Sequence, residues 1–234
     1  MRKQPFFCLL FFLLIAIFLI SCSLSRIENT PGRVEIIRNM DETAHVEQGI
    51  DAVPDKNAVI VQWKQNSDGS TVEYRVYRAA VRAENFELIS IEKDTTYLDE
   101  SVEIHKRYFY YVTAVSSNSD EGETSDTLSY MLLDKAVCIT PSETGGQVPV
   151  FQWQDPNQED RNFLRLIDEN TQSCVWSYLL EHEYEYVKEV QYNIDGTAGL
   201  DSLQKGGEYA WRIDVLGSNR NSGSESAWTI FNVE

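Results

Sequence analysis

From Ala58 to the C-terminus, apolar and polar residues alternate in short runs broken by turn residues, a period of two that predicts β-strands rather than helices. The run "AVIVQW" places Val59, Val61 and Trp63 on one face. "QNSDGST" then supplies a turn, and "VEYRVYR" aligns Val72, Tyr74 and Val76. Further on, "RYFYYVTAV" puts Tyr108, Tyr110, Val112 and Ala114 on one side, before the polar stretch "SSNSDEGETSD". No segment of this half carries a sustained helical period with caps, so the half reads as all-β.

The same grammar returns in the second half. "VPVFQW" aligns Phe151 with Trp153, and "LQKGGEYAWRIDV" aligns Tyr209, Trp211, Ile213 and Val215 after Leu203. The chain closes on the alternating "SAWTIFNVE". One strand is ambiguous: "NFLRLID" can turn Phe163, Arg165 and Ile167 inward, or Leu164, Leu166 and Asp168. Trp63 and Trp153 stand 90 residues apart, and Tyr108 and Tyr209 stand 101 apart. A tandem of about 100 residues per unit is the size of a β-sandwich, not of a solenoid repeat.

At these positions both halves resemble fibronectin type III domains, which are seven-stranded β-sandwiches. Trp63 and Trp153 match the core tryptophan of that family's second strand. Tyr108 and Tyr209 match the tyrosine of its corner, whose hydroxyl ties the sixth strand to the preceding connection. Leu203 stands six residues before Tyr209, as the family's leucine does, and Val102 holds that place in the first half. The match covers residues 45–131 and, more loosely, 136–234, where a generic immunoglobulin-like sandwich fits equally. The resemblance implies an all-β chain with one sandwich over 33–134 and a second over 135–234. Its expected core includes Trp63, Tyr108, Trp153, Tyr209 and Trp211. The junction "MLLDKAVCITP" has no Gly/Ser-rich or Pro-rich spacer, so the domains are expected to abut with limited swing.

The N-terminus follows another logic. Phe6 to Ile20 is 15 residues without a polar side chain, preceded by Arg2 and Lys3. A membrane-spanning helix needs about 20 such residues, whereas a basic start and a short apolar run suit a secretory signal. The stretch Leu19-Ile20-Ser21-Cys22 resembles the bacterial lipobox, where the signal is cut before a cysteine diacylated on sulfur. The resemblance implies a signal peptide over 1–21, Cys22 as the lipidated mature N-terminus, and a tether over 22–32. It also implies a bacterial cell-envelope protein held on a membrane by several acyl chains, each buried methylene contributing about 0.8 kcal/mol. Ser23 replaces the aspartate that in that family retains proteins in the inner membrane, which leans toward the outer membrane with its face left open.

Charge narrows the partners. The chain has a formal net charge of −17, and losing Arg2 and Lys3 with the signal leaves 18 basic against 37 acidic groups, or −19. Such a surface repels phosphate backbones, so nucleic acid is not expected as a partner. Of the 4 cysteines, Cys8 falls in the signal and Cys22 is claimed by lipid. Cys138 and Cys174 remain, either as a disulfide in an exported compartment or as two buried thiols.

The sequence carries few marks of chemistry. There is no G-x-S-x-G elbow, phosphate loop or H-E-x-x-H, and His45, His105 and His182 are scattered without cysteines at zinc spacing. Asp120, Glu121, Glu123 and Asp126 lack the spacing of the twelve-residue calcium loop and read as a solvated turn. No catalytic residue, metal or cofactor is therefore expected. Four aromatics lie outside the core pattern: Trp176, Trp228, Tyr184 and Tyr186. Exposed rings there would stack on sugars or anchor a protein. The expectation is a non-enzymatic envelope lipoprotein acting as a spacer or protein-interaction module. The alternative is a glycan-binding lipoprotein that uses the second domain's aromatics.

Overall fold

Every strand of the first half owes its inner face to the period-two pattern. The computed structural model describes residues 30–38, 41–44, 47–219 and 221–234; the signal peptide, Cys22, most of the tether and His45 lie outside the described residues. The first half contains β1 (Ile50–Val53), β2 (Lys56–Gln62), β3 (Thr71–Ala80), β4 (Glu87–Glu92), β5 (Thr96–Asp99), β6 (Arg107–Ser116) and β7 (Leu128–Leu132). They form two facing sheets ordered β1-β2-β5 and β4-β3-β6-β7. Val59, Val61 and Trp63 meet Tyr74, Val76, Tyr110 and Val112 in one core. Burial of each such side chain contributes roughly 1.5–3 kcal/mol. Val72 departs from the expected face and is 50% exposed, because the register of β3 against β6 shifts between Thr71 and Glu73. A bulge of this kind sends the intervening side chain to the other surface.

The second half contains β8 (Val137–Thr140), β9 (Thr144–Gly145), β10 (Val150–Gln154), β11 (Arg161–Asp168), β12 (Ser173–Glu181), β13 (Val187–Gln191), β14 (Glu208–Leu216), β15 (Ser222–Glu225) and β16 (Thr229–Val233). One sheet is ordered β13-β10-β8; facing it, β12-β11-β14 carries both β15 and β16 along the free edge of β14. Leu164 and Leu166 turn inward with Phe151, Trp153, Trp211 and Ile213, which resolves the ambiguous strand. Each half closes a tyrosine corner: Tyr108 Oη accepts the Glu103 N–H at 3.2 Å, and Tyr209 Oη accepts the Gln204 N–H at 3.1 Å. Trp63, Tyr108, Trp153, Tyr209 and Trp211 are all buried.

The two cores meet without a linker, since Leu132 belongs to the first and Leu133 to the second. β15 pairs in parallel with β7, setting Ser222 against Met131 and Gly223 against Leu132. Met131 N–H donates to the Asn221 carbonyl at 3.1 Å, and Leu133 N–H to that of Gly223 at 2.9 Å. One sheet therefore runs unbroken from β12 in the second half to β4 in the first. Gly223 permits this approach: a Cβ there would lie 2.6 Å from the Val215 carbonyl oxygen and 3.1 Å from Tyr130 Oη.

Candidate functional site

The four aromatics singled out in the sequence do not form one surface. Trp176 is corrected to a core residue: it is 2% exposed, opposes Leu166 in the β11–β12 ladder, and donates its Nε1–H to Asp195 Oδ1 at 3.0 Å. Phe151, Tyr178 and Tyr192 surround its ring within 6.1 Å. The signal for this was the alternation of Trp176, Tyr178 and Leu180, which places them on one face of a strand, whereas a register shift against β11 turns Cys174 to the other face. Tyr184 and Tyr186 are 62% and 48% exposed, between β12 and β13, and their hydroxyls reach Asp160 and Gln154. Trp228 is half-buried under the Arg212 guanidinium, 5.0 Å from its ring centroid. Tyr184 lies beside the start of β11, whereas Trp228 lies against Arg212, which faces Arg165 in mid-strand, and four residues of strand put these places about 13 Å apart.

Of the two readings of Cys138 and Cys174, the free thiols hold and the disulfide does not, although Cys174 is exposed rather than buried. Cys138 points into the sandwich, with Sγ 3.5 Å from Ser226 Oγ. Cys174 opens instead onto a cleft of about 230 Å³ lined by Glu47, Arg165, Ile167, Gln172, Arg212 and Trp228. The two side chains thus leave their strands on different faces. Burial pushes both thiols above the ordinary range.

What the structure does assemble is a charged junction. On the outer face of β11 and β14, Arg165, Arg212 and Asp214 are buried, and Glu42, Ala44 and Glu47 meet the two arginines from outside. Arg165 donates to the carbonyls of Ala44 and Glu42 at 2.6 and 3.3 Å and pairs with Glu47 at 2.9 Å and with Asp214. Arg212 reaches three carboxylates at once: Glu47, Asp214 at 2.8 Å and Glu225 at 3.0 Å. Further in, Tyr130 of β7 donates to Asp51 of β1 at 2.9 Å. Lys135 donates to the carbonyls of Val53 and Glu225, both at 2.6 Å. Residues from both sandwiches therefore share one network.

Electrostatics follow from burial. It pushes the carboxyl of Glu225 up to about 9, with Asp214 adding to the shift and Arg212 opposing it. Burial likewise raises Glu47, and it takes Asp51 to about 6 against the pull of the Tyr130 hydrogen bond. Oxygens of Glu47, Asp214 and Glu225 lie within 4.8 Å of one another, a spacing a metal ion could use. Here the guanidinium of Arg212 already contacts all three. Elsewhere the acidic loop is likewise engaged by arginines: Glu121 binds Arg75 at 2.7 Å, and Asp126 binds Arg33 and Arg38 at 2.6 and 2.8 Å.

Sequence reasoning missed Arg165, Arg212, Asp214 and Glu225. Alternation marks Arg212 and Asp214 as outward-facing and leaves Arg165 open between two faces, and nothing local reveals that distant residues meet them.

The chain thus has an all-β fold of two tandem β-sandwiches, each like a fibronectin type III or immunoglobulin-like sandwich. No family model matches the chain, and no curated protein matches it. Among solved structures it is similar to the twitchin kinase region from C. elegans, with 17% identity and a TM-score of 0.34 over 44% of this chain and 16% of that one. A β-1,2-glucanase from Parabacteroides distasonis matches at 22% identity and a TM-score of 0.32, covering 36% of this chain and 12% of the other. An Fn3-like protein from Clostridium thermocellum matches at 27% identity and a TM-score of 0.30, covering 35% and 84% respectively. The chain spans less than a fifth of the first two proteins.

Proposed function

We propose that the protein is a non-enzymatic lipoprotein of the bacterial cell envelope, anchored through Cys22, in which two sandwiches form a stiff spacer that holds a partner protein away from the membrane. The observation that carries the spacer reading is the parallel pairing of β7 with β15, which leaves no flexible linker between the cores. A spacer transmits position only if its segments do not swing, and a shared sheet with a buried charge network resists swinging. The anchor reading rests on the short apolar run and the Leu19-to-Cys22 motif. Glycan capture keeps one observation in its favour, the exposed Tyr184 and Tyr186.

The test has two arms. Full-length protein expressed in a bacterial host with labelled palmitate should take up label and sediment with membranes, and Cys22→Ala should do neither. Acyl labelling that persists in Cys22→Ala would refute the anchor. The purified protein should show no saturable binding to an oligosaccharide panel at millimolar concentration, where 1 mM corresponds to about −4.1 kcal/mol. Saturable binding lost in Tyr184→Ala or Tyr186→Ala would replace the spacer reading with glycan capture.

A further inference from the structure

We propose that the junction between the sandwiches is a proton-loaded clamp: Glu47, Asp214 and Glu225 outnumber the two guanidiniums they share, and Glu225 carries the compensating proton while the modules are docked. Around this set, among the described residues, Glu42 before β1 and Asp51 on β1 line the same pocket as Glu47, Asp214 on β14 and Glu225 on β15. Glu42 pairs with Arg161, Asp51 accepts from the Tyr130 hydroxyl of β7, and Lys135 after β7 binds the Glu225 carbonyl with Asp55 nearby. Asp214, Glu225, Arg165 and Arg212 are all buried, so an uncompensated negative charge would be costly in this setting.

Hydrogen bonding points to the same place. Asp214 Oδ1 and Glu225 Oε2 are buried and ion-paired with Arg212, yet neither receives a hydrogen bond from any donor among the described residues. A proton on Glu225 supplies a donor where two acceptors otherwise face one guanidinium. Glu47 is the partly exposed member of the set, with 31% of its side chain open, and gives the proton a path to solvent.

The consequence is a pH-dependent joint with a definite sign. In the docked state the carboxyl of Glu225 sits near 9, far above the ordinary carboxylate value near 4.3 that it regains when the junction opens. The docked state therefore binds the proton more tightly. Docking is strongest at the acid end and weakens as pH rises between those two values, by up to roughly tenfold in the opening equilibrium per pH unit. Asp51, raised to about 6, adds to the slope only below that value.

Hydrogen exchange of the detergent-solubilised full-length protein tests the clamp at Met131 and Leu133, whose amides bond across the junction. After correction for intrinsic rates, their protection relative to amides of β6 should fall steeply from pH 6 to pH 9. Glu225→Gln should flatten the profile and retain more protection than wild type at pH 9. Asp214→Asn, which restores two carboxylates to two guanidiniums, should flatten it as well. A flat profile in the wild type would overturn the clamp, and so would an undiminished slope in a folded Glu225→Gln protein. The wild-type profile decides by itself if both variants fail to fold.

Discussion

Trp176 shows how far a single side chain can be misread when its neighbours are counted as sequence rather than as a strand. An indole between Val175 and Ser177 in "SCVWSYLL" reads as a surface ring, yet Tyr178 and Leu180 share its face and its Nε1–H is satisfied by Asp195. Its role is therefore packing. Trp176→Ala should destabilise the protein by about 3–5 kcal/mol, the range for emptying a buried aromatic site, read as a lower urea midpoint. A loss below about 1 kcal/mol would contradict its place in the core. The residues legible without the structure were those whose alternation is unbroken: Val59, Val61, Trp63, Tyr108, Tyr110, Tyr209 and Trp211 all lie inside. Val72 was not, because a bulge changes parity and leaves no local mark.

At the scale of elements, the two halves repeat a device as well as a pattern. Val112 N–H donates to Ser125 Oγ at 2.9 Å, and Ile213 N–H donates to Ser226 Oγ at 3.0 Å, each serine sitting 13 residues past its donor. In both sandwiches the serine interrupts the last strand beside the sixth. In the second half, the interruption splits that strand into β15 and β16, and the β15 portion turns its outer edge to β7. Gly223 is the hinge of that arrangement, since any side chain would strike the Val215 carbonyl. Gly223→Ala should cost about 1–3 kcal/mol through overpacking. It should also strip protection from the Met131 and Leu133 amides while leaving amides of β3 and β11 protected. Unchanged protection at Met131 would show that the parallel pairing is not formed in solution. The strands themselves were legible from alternation, whereas an edge-to-edge pairing between modules depends on backbone approach that no side-chain pattern encodes.

For the whole molecule, the absence of a spacer at "MLLDKAVCITP" led to an expectation of limited swing, and Leu132 and Leu133 do belong to adjoining cores. What could not be read was the reason for stiffness. Glu42, Ala44 and Glu47 meet charges on β11 and β14 at sequence separations of more than 100 residues. Arg212 appears in sequence as an ordinary outward position and Arg165 as one of two readings of its strand, and only the contacts from Glu42, Ala44 and Glu47 join them into a buried network. The net charge of −17 is thus unevenly used, with part of it drawn into the joint and the remainder left to the surface. The central claim is that the two sandwiches move as one body. Residual dipolar couplings from isotopically labelled protein in a dilute aligned medium near pH 6 measure this directly. A single alignment tensor should fit the amides of residues 50–132 and of 137–233 together, in the relative orientation described here. Two tensors of different magnitude, one for each sandwich, would contradict it.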